Sequence, residues 1–429
     1  MPSRVGFNSE RVGRGNLALV LRHVHSVGPQ SRSDLVALTG LNRTTIGSLV
    51  GQLEGRQLVR EQQVAASGQP GRPSNVVSVR SDTYVTLALD ISVDSLAAAV
   101  VALGGAVLRS RRIPCDSREF GPEETVALLI QTANEVMVDT DRSRVVGVGV
   151  AVAGVVRARD GLVRLGPNLG WTDVPLGDLV RAGLGLGAAT NVSVGNEADL
   201  GGLVEHLRGA ARGHDNMIYL SGEVGLGGGI IVDGRPLIGI GGYAGEVGHT
   251  MINPAGIQCA CGAFGCWETE VGESALLRAA GIPVTGNSRR AVSHVFEAAA
   301  ANEPRSRAAV DIVGHWLGIG LAGLVNTFNP SVVVLGGFYA RLAPLVDRVI
   351  WDELDRRALQ ATRERLAILP GQFGLDAPLH GAGELAFETL LADPTIVDPV
   401  APRTPTRRGH QPRARDYAAG NARGGATRR

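Results

Sequence analysis

The densest chemistry in this 429-residue chain lies between positions 249 and 266. The segment opens at His249 and closes on Cys259-Ala260-Cys261-Gly262-Ala263-Phe264-Gly265-Cys266, so three of the four cysteines fall within eight residues. Three thiolates and an imidazole satisfy a tetrahedral zinc ion completely. Gly262 and Gly265 allow the backbone to wrap closely around such an ion. A shell closed by four protein ligands leaves no place for water, so the expected zinc is structural. The competing reading is a group of ordinary buried thiols, which the clustering argues against. Cys115 stands alone and reads as a plain thiol.

The elements that must position this cluster follow from periodicity. From about residue 84, apolar strands alternate with loops and helices. Strands are expected at 85–91, 96–101, 145–152, 192–194, 217–220, 229–232 and 332–335, and helices at 122–138 and 310–328. Two α/β halves are the simplest arrangement. The 59 glycines and the 4% aromatic content suit an α/β protein with many tight loops.

The first 80 residues read differently. Leu17, Val20, Leu21 and Val24 form one face of a helix. Ser31 offers an N-cap with Asp34 as its reciprocal partner, Leu35 and Leu38 face inward, and Gly40 stops the second helix. Asn42 can cap a third helix with Ile46, Leu49, Val50 and Leu53 inside. Two helices meeting across Thr39-Gly40-Leu41 make a helix-turn-helix. Two β-prone runs, 58–64 and 75–79, flank a glycine/proline tip that carries Arg72, which completes a wing. The alternative is a generic three-helix interaction module.

Charge divides the chain in the same way. The net charge is +1, yet residues 1–80 hold ten Arg against four acids and residues 401–429 hold eight Arg against one Asp. The intervening body is therefore strongly acidic. All 42 basic residues are Arg, a compositional bias of the source. A basic head on an acidic body suits a DNA-reading module on an effector domain. No stretch reads as a signal peptide or a membrane span, with Asp90 and Asp94 interrupting the best candidate, and four cysteines exclude a secreted disulfide scaffold. A cytoplasmic location is expected. Residues 393–429, rich in Pro, Arg, Gly and Ala, are expected to be disordered.

The run Gly245-Glu246-Val247-Gly248-His249-Thr250, followed by the cysteine motif and Trp267-Glu268, resembles the signature of the ROK family of repressors, open reading frames and sugar kinases. The resemblance spans about 84–392. With the N-terminal module it extends to winged-helix regulators of the xylose or N-acetylglucosamine repressor type. It implies a multi-domain α/β fold: a winged helix-turn-helix (1–80) and an actin-like, ribonuclease H-like, two-lobed domain. Lobe 1 is expected at 81–200. Lobe 2 is expected at 201–392, its last helix returning to lobe 1. The resemblance also implies sugar contacts at Asn168, Asn196, Glu197, Glu246, His249 and Glu268. Carboxylates and carboxamides suit vicinal hydroxyls. His249 would then serve zinc with one ring nitrogen and sugar with the other. Asn168 could instead be a turn residue and Glu268 a solvated acid at a helix start, while Trp171 reads as core.

The phosphate-handling parts of the kinases look altered. Where they resemble Asp-Ile-Gly-Gly-Thr, this chain has Asp90-Ile91-Ser92-Val93-Asp94. The second loop carries Glu223 within Gly222-Glu223-Val224-Gly225-Leu226-Gly227. Both acids oppose phosphate. The catalytic Asn-Asp pair reads Asn196-Glu197, and the extra methylene adds about 1.3 Å where a shift of about 1 Å costs about a hundredfold. No catalysis and no ATP are expected, although Gly336-Gly337 keeps an adenosine-side loop. The expected function is a sugar-responsive regulator, by default a repressor. The third helix would enter the major groove with Asn42, Arg43, Thr44, Thr45 and Ser48, and Arg72 would reach the minor groove. Capping would equally explain Asn42 and Thr45, and solvation Ser48. A homodimer or dimer of dimers on a two-fold operator is expected. The alternative is an active sugar kinase phosphorylating a hexose or N-acetylhexosamine, with an accessory DNA-binding domain.

Overall fold

The computed structural model describes residues 9–63, 75–186, 190–284 and 288–400. Arg72, the wing tip and residues 401–429 lie outside the described residues. The head starts with α1 (Ser9–Val27), β1 (Gln30–Ser31), α2 (Arg32–Thr39) and α3 (Arg43–Gly55). It ends with β2 (Val59–Gln63) and β3 (Asn75–Val79). The capping box forms: Ser31 Oγ accepts the Asp34 N–H at 3.1 Å and Asp34 accepts the Ser31 N–H at 3.0 Å. Gly40, at φ 69°, ends α2, and Asn42 Oδ1 accepts the Thr45 N–H at 2.8 Å to start α3. The three strands pair antiparallel in the order β1-β3-β2. Leu38 departs from expectation. It is 50% exposed, because Leu35, with Val36 beside it, fills the core between α1 and α3 from α2.

Lobe 1 contains β4 (Val85–Ile91), β5 (Ser95–Ala102), β6 (Val107–Pro114), α4 (Pro122–Val136) and β7 (Val145–Val152). After a small sheet of β8 (Val155–Arg157), β9 (Leu162–Gly166) and β10 (Trp171–Val174) come α5 (Leu176–Gly183) and β11 (Val192–Asn196). The main sheet has the order β11-β7-β4-β5-β6, with β11, β7 and β4 parallel and β5 and β6 antiparallel. Strand β6 carries Arg109, Arg111 and Arg112 and is the sheet edge, where charge discourages further pairing. That charge also hides it from a search for apolar alternation.

α6 (Glu197–Arg208) leads to lobe 2, which begins with β12 (Met217–Gly222), β13 (Leu226–Val232) and β14 (Arg235–Pro236). Then follow α7 (Glu268–Val271), α8 (Glu273–Ala280), α9 (Arg289–Ala300) and α10 (Pro304–Phe328). The lobe closes with β15 (Val332–Gly337), α11 (Tyr339–Arg357), α12 (Gln360–Arg363) and β16 (Ala367–Pro370). Its sheet has the order β14-β13-β12-β15-β16. By length and composition α10 could cross a membrane, but Val310, Val313, Leu317, Leu321 and Val325 are fully buried in the lobe 2 core. It is a core helix. The last helix, α13 in chain order (Ala377–Ala392), packs on β4, β7 and α6.

Two expected boundaries need correction. The cut at 200/201 falls inside α6, because Asn196 caps a helix that continues to Arg208. Disorder does not begin at 393. Asp393 pairs with Arg14 and caps the turn Pro394–Ile396, and the Val400 N–H donates to Gly55 O at 2.9 Å. The head packs directly on the body. Leu17, Leu21 and Leu53 share one core cluster with Ala88, Phe387 and Leu390 of the body. Arg22 donates to both oxygens of Glu388 at 2.8 and 2.7 Å.

Candidate functional site

The carboxyl ends of β7, β11 and β12 meet the turn before β13 at the junction of the lobes, which is where open α/β sheets place their crevices. One cavity there is lined by Asn168, Asn196, Glu197, Glu246, His249 and Glu268, with Ser221, Glu223, Gly225 and Gly227. All six residues expected to contact sugar therefore share one cavity.

Each arrives by a different local device. Asn168 sits in the turn between β9 and β10, closed by the Leu169 N–H on Gly166 O at 2.9 Å. Asn196 is the N-cap of α6: its Oδ1 accepts from the N–H groups of Ala198 and Asp199 at 2.7 and 3.2 Å, and its Nδ2 donates to Gly154 O at 3.0 Å. Its carboxamide is thus occupied in shaping the wall. Glu197 is the first residue of α6. Glu246 precedes a single 3-10 turn, Val247–His249, and its carbonyl accepts the His249 N–H at 3.2 Å. Glu268 opens α7, and its Oε2 accepts the Leu226 N–H at 3.2 Å, so it is a cavity residue and not a solvated helix-start acid. A Cβ at Gly225 would stand 1.9 Å from that oxygen, so a larger residue there must displace the Glu268 carboxylate. Trp171 is 2% exposed in the lobe 1 core.

Crowded acids alter the chemistry of the cavity. Burial pushes the Glu197 carboxyl well above the usual range, and Glu223, Asp90, Asp94 and Glu246 push it further. Burial, then Asp90, raises Glu223 to about 7, against the pull of Arg289. Burial raises Glu246, with His249 pulling back and Glu268 adding to the rise. Near neutral pH Glu223 therefore carries less than full charge and supplies an O–H donor beside acceptors. Hydroxyl groups can use both; anions cannot. Ser221 and Glu223 were missed as cavity residues by sequence reasoning. Their place at the carboxyl end of β12 was the available signal.

Among the described residues, His249, Cys259, Cys261 and Cys266 form a cluster that could hold a metal ion, their donor atoms all within 4.8 Å of one another. Cys261 Sγ lies 3.7 Å from Cys266 Sγ, and Cys259 Sγ lies 3.7 Å from His249 Nδ1. Sulfurs bound to one tetrahedral zinc at about 2.3 Å stand about 3.8 Å apart, so the set fits such an ion. Cys115 is buried elsewhere, in the lobe 1 core.

A second cavity of about 310 Å³ adjoins the first through Glu223, next to Gly337 and Phe338. Its inner end is occupied by protein charge. Asp94 of the β4–β5 turn accepts from Arg289 Nη2 of α9 at 2.6 Å, across the cleft between the lobes. Asp90 accepts from Arg112 Nη1 at 2.9 Å, and Val93 is buried in the lobe 1 core. On the head, Asn42, Arg43, Thr44 and Ser48 are exposed along α3 while Thr45 is half-buried. Asn42 spends its oxygen on the cap, and Ser48 Oγ accepts from Gln52 at 3.5 Å.

Residues 86–389 match the sequence profile of the ROK family. The chain belongs to the ROK family. Among ROK relatives, the xylose repressor of Bacillus spizizenii is 29% identical over 382 residues, covering 89% of this chain and 97% of that protein. A glucokinase of Streptomyces coelicolor is 30% identical over 320 residues, covering 71% of this chain and 98% of that protein. A solved ROK family transcriptional regulator, a homologue of Escherichia coli Mlc, superposes with a TM-score of 0.73 at 26% identity, covering 89% of this chain and 97% of that one. The repressor and regulator matches include the head; the ROK kinase match spans only a body's length.

Proposed function

We propose that this chain is a cytoplasmic, sugar-responsive transcriptional repressor of carbohydrate metabolism that binds sugar without phosphorylating it. The carrying observation is the convergence of Asn168, Glu197, Glu246, His249 and Glu268 on one cavity, in a body packed directly against a winged helix. The relatives named as repressors, which match the head as well as the body, support the DNA-binding half.

The cavity chemistry selects an uncharged sugar. Glu197, Glu223, Glu246 and Glu268 all face it, and no Arg among the described residues lines it. A sugar phosphate would bring its charge among those acids. His249, Cys259, Cys261 and Cys266 would hold a structural zinc ion that keeps the imidazole and the Cys259–Cys266 loop in place and takes no part in chemistry. Asn42, Arg43, Thr44, Thr45 and Ser48 would face operator DNA, with Arg72 of the wing, in a homodimer or dimer of dimers.

The second cavity favours the kinase alternative, since it lies where a nucleotide would meet the sugar. Against it stand the Asp94–Arg289 pair and Glu223 at the position of the phosphates. The deciding experiment selects DNA from a random pool with full-length protein. It then measures affinity for that DNA against neutral pentoses and hexoses and their phosphates, beside an ATP-consumption assay on the same panel. A neutral sugar that weakens DNA binding with no ATP consumed is the expected result. Turnover of ATP with any of the sugars would overturn the repressor reading in favour of the kinase.

A further inference from the structure

A ligand in the cavity lies at one end of α6, and the winged helix is held at the other. The near end is the cavity wall itself, where Asn196 caps the helix and Glu197 opens it. The helix has 12 residues, about 18 Å at 1.5 Å per residue.

At the far end Arg208 meets α1. Its Nε donates to Glu384 Oε1 of α13 at 2.6 Å, and Nη1 and Nη2 both reach the main-chain carbonyl of His25 at 3.3 Å. Just beyond the helix, Arg212 Nη2 donates to the Val27 carbonyl at 2.8 Å. These carbonyls belong to the last turn of α1, where helical partners run out and the helix dipole favours cations. Glu384 Oε2 faces His25 Nε2 at 2.7 Å, while His25 Nδ1 accepts the Gly104 N–H at 3.0 Å. The accepting role of Nδ1 puts the ring proton on Nε2, which donates to the carboxylate. His25 and Glu384 are 1% and 3% exposed.

Between its ends α6 touches both lobes backbone to backbone. A Cβ on Gly229 of β13 would stand 2.6 Å from Ala198 O, and a Cβ on Gly381 of α13 would stand 2.0 Å from Leu200 O. Contacts this close leave no soft side chain to absorb a displacement. A relative movement of the lobes must therefore move α6 as a body. A cavity of about 260 Å³, bounded by Val24, Gly28, Pro29, Leu207 and Arg212, gives the end of α1 room to follow.

We infer that α6 is the coupling rod of this protein, and that Arg208 and Arg212 are the residues through which its position sets the pose of the winged helix. The inference rests on the sugar-responsive reading above and names its route. Sugar engaging Glu197 favours one placement of α6; Arg208 and Arg212 carry that placement to the carbonyls of His25 and Val27. Because coupling is a difference in affinity between two states, cutting the tie must shrink the effect of sugar on DNA binding without abolishing either binding event.

The test uses full-length protein carrying Arg208→Lys, Arg212→Ala and both together. Lysine keeps a positive charge beside Glu384 but lacks the fork that also reaches the carbonyl. Arg212→Ala removes an exposed side chain with one hydrogen bond to α1 and guards against misfolding of the first variant. Three readouts are taken with and without the neutral sugar of the panel that binds most tightly: calorimetric sugar affinity, affinity for the selected DNA, and deuterium uptake at residues 24–27. Couplings of this kind are typically about 5- to 150-fold. The double variant should bind sugar and sugar-free DNA within about threefold of wild type, while the sugar effect on DNA affinity falls at least about fivefold on that scale. Uptake at 24–27 should respond to sugar in wild type and not in the double variant. A merely structural role would lower the melting temperature and leave the ratio of DNA affinities unchanged, which overturns the inference alone. Wild-type DNA affinity that responds to sugar without any change at residues 24–27 also overturns it alone. Wild-type DNA affinity indifferent to every sugar overturns the functional reading, and the coupling rod with it.

Discussion

Glu384→Gln isolates the charge at the joint between head and body. The carboxylate sits on α13, between His25 of α1 and Arg208 of α6, with His380 one turn before it on the same helix. Burial alone would raise it. The hydrogen bond from His25, with the charge and hydrogen bond of Arg208, outweighs burial and draws it from an ordinary 4.5 down to about 2. That gap of about 2.5 units is worth about 3 kcal/mol at about 1.4 kcal/mol per unit. Because the folded value lies below the unfolded one, the stabilisation is complete above about pH 5 and drains away as pH falls through 4.5 towards 2. About 1.4 kcal/mol of it remains at pH 3 by the same relation. Glutamine resembles the protonated acid in shape and cannot carry the charge. Urea unfolding, followed by far-ultraviolet circular dichroism, should find the variant less stable by about 3 kcal/mol at pH 7 and by about half that at pH 3. A penalty of equal size at both pH values would mean that packing, not charge, is lost. No penalty at pH 7 would remove the ion pair from any account of how the head is held.

Four further outcomes follow from the site. Cys261→Ser should remove stoichiometric zinc from purified protein, measured by atomic absorption, and weaken sugar binding at least tenfold by freeing His249, on the scale seen when metal-site support is lost; retained sugar affinity would separate the cluster from the cavity. Gly225→Ala should weaken sugar binding with little change in the melting temperature, since the atoms nearest the added Cβ all belong to the Glu268 side chain, which can swing aside. Asn196→Ala should cost about 1 kcal/mol of stability through the lost cap and should reduce sugar affinity by misplacing Glu197, both readable in a thermal-shift series. Arg43→Ala should weaken binding to the selected DNA by about 1–3 kcal/mol and relax preference at one base position if it reads a base; uniform weakening with a salt slope lower by about one would assign it to phosphate instead.

The head was legible because its signals are local. Ser31 with Asp34, Gly40, and Asn42 announce helix ends through their own backbone chemistry, and each does what its residue type dictates. The strands 85–91 and 145–152 were legible because both faces are buried and the runs are almost unbroken apolar residues. Strand β6 was not, because Arg109, Arg111 and Arg112 mask its alternation at an exposed edge. The thiol part of the metal cluster could be read from spacing alone, since loop closure brings three cysteines within eight positions together whatever the fold; His249 stands ten residues earlier. The sugar cavity could not. Asn168, Asn196, Glu246 and Glu268 come from four separate segments, and only the resemblance to ROK proteins put them on one list. The joint of Arg208, Glu384 and His25 was invisible for the same reason, its members standing up to 359 residues apart with no motif among them.

The altered phosphate loops gain a second meaning beside this joint. A kinase must favour the transition state over bound sugar and then release product. A sensor must do neither; it needs only that sugar bind one placement of the lobes better than another. The residues that would spoil phosphate transfer suit the second task. Asp94 and Arg289 sit on opposite lobes and meet across the cleft in the observed placement. Glu223 faces both cavities, so its raised carboxyl tends towards the neutral form at neutral pH and can share hydrogen bonds with a sugar without repelling it. Acid at these positions thus exchanges an anion-binding loop for an electrostatic contact across the cleft. On the proposed reading, the free energy of sugar binding would be available to shift lobes, α6 and head, since none of it would be drawn into chemistry.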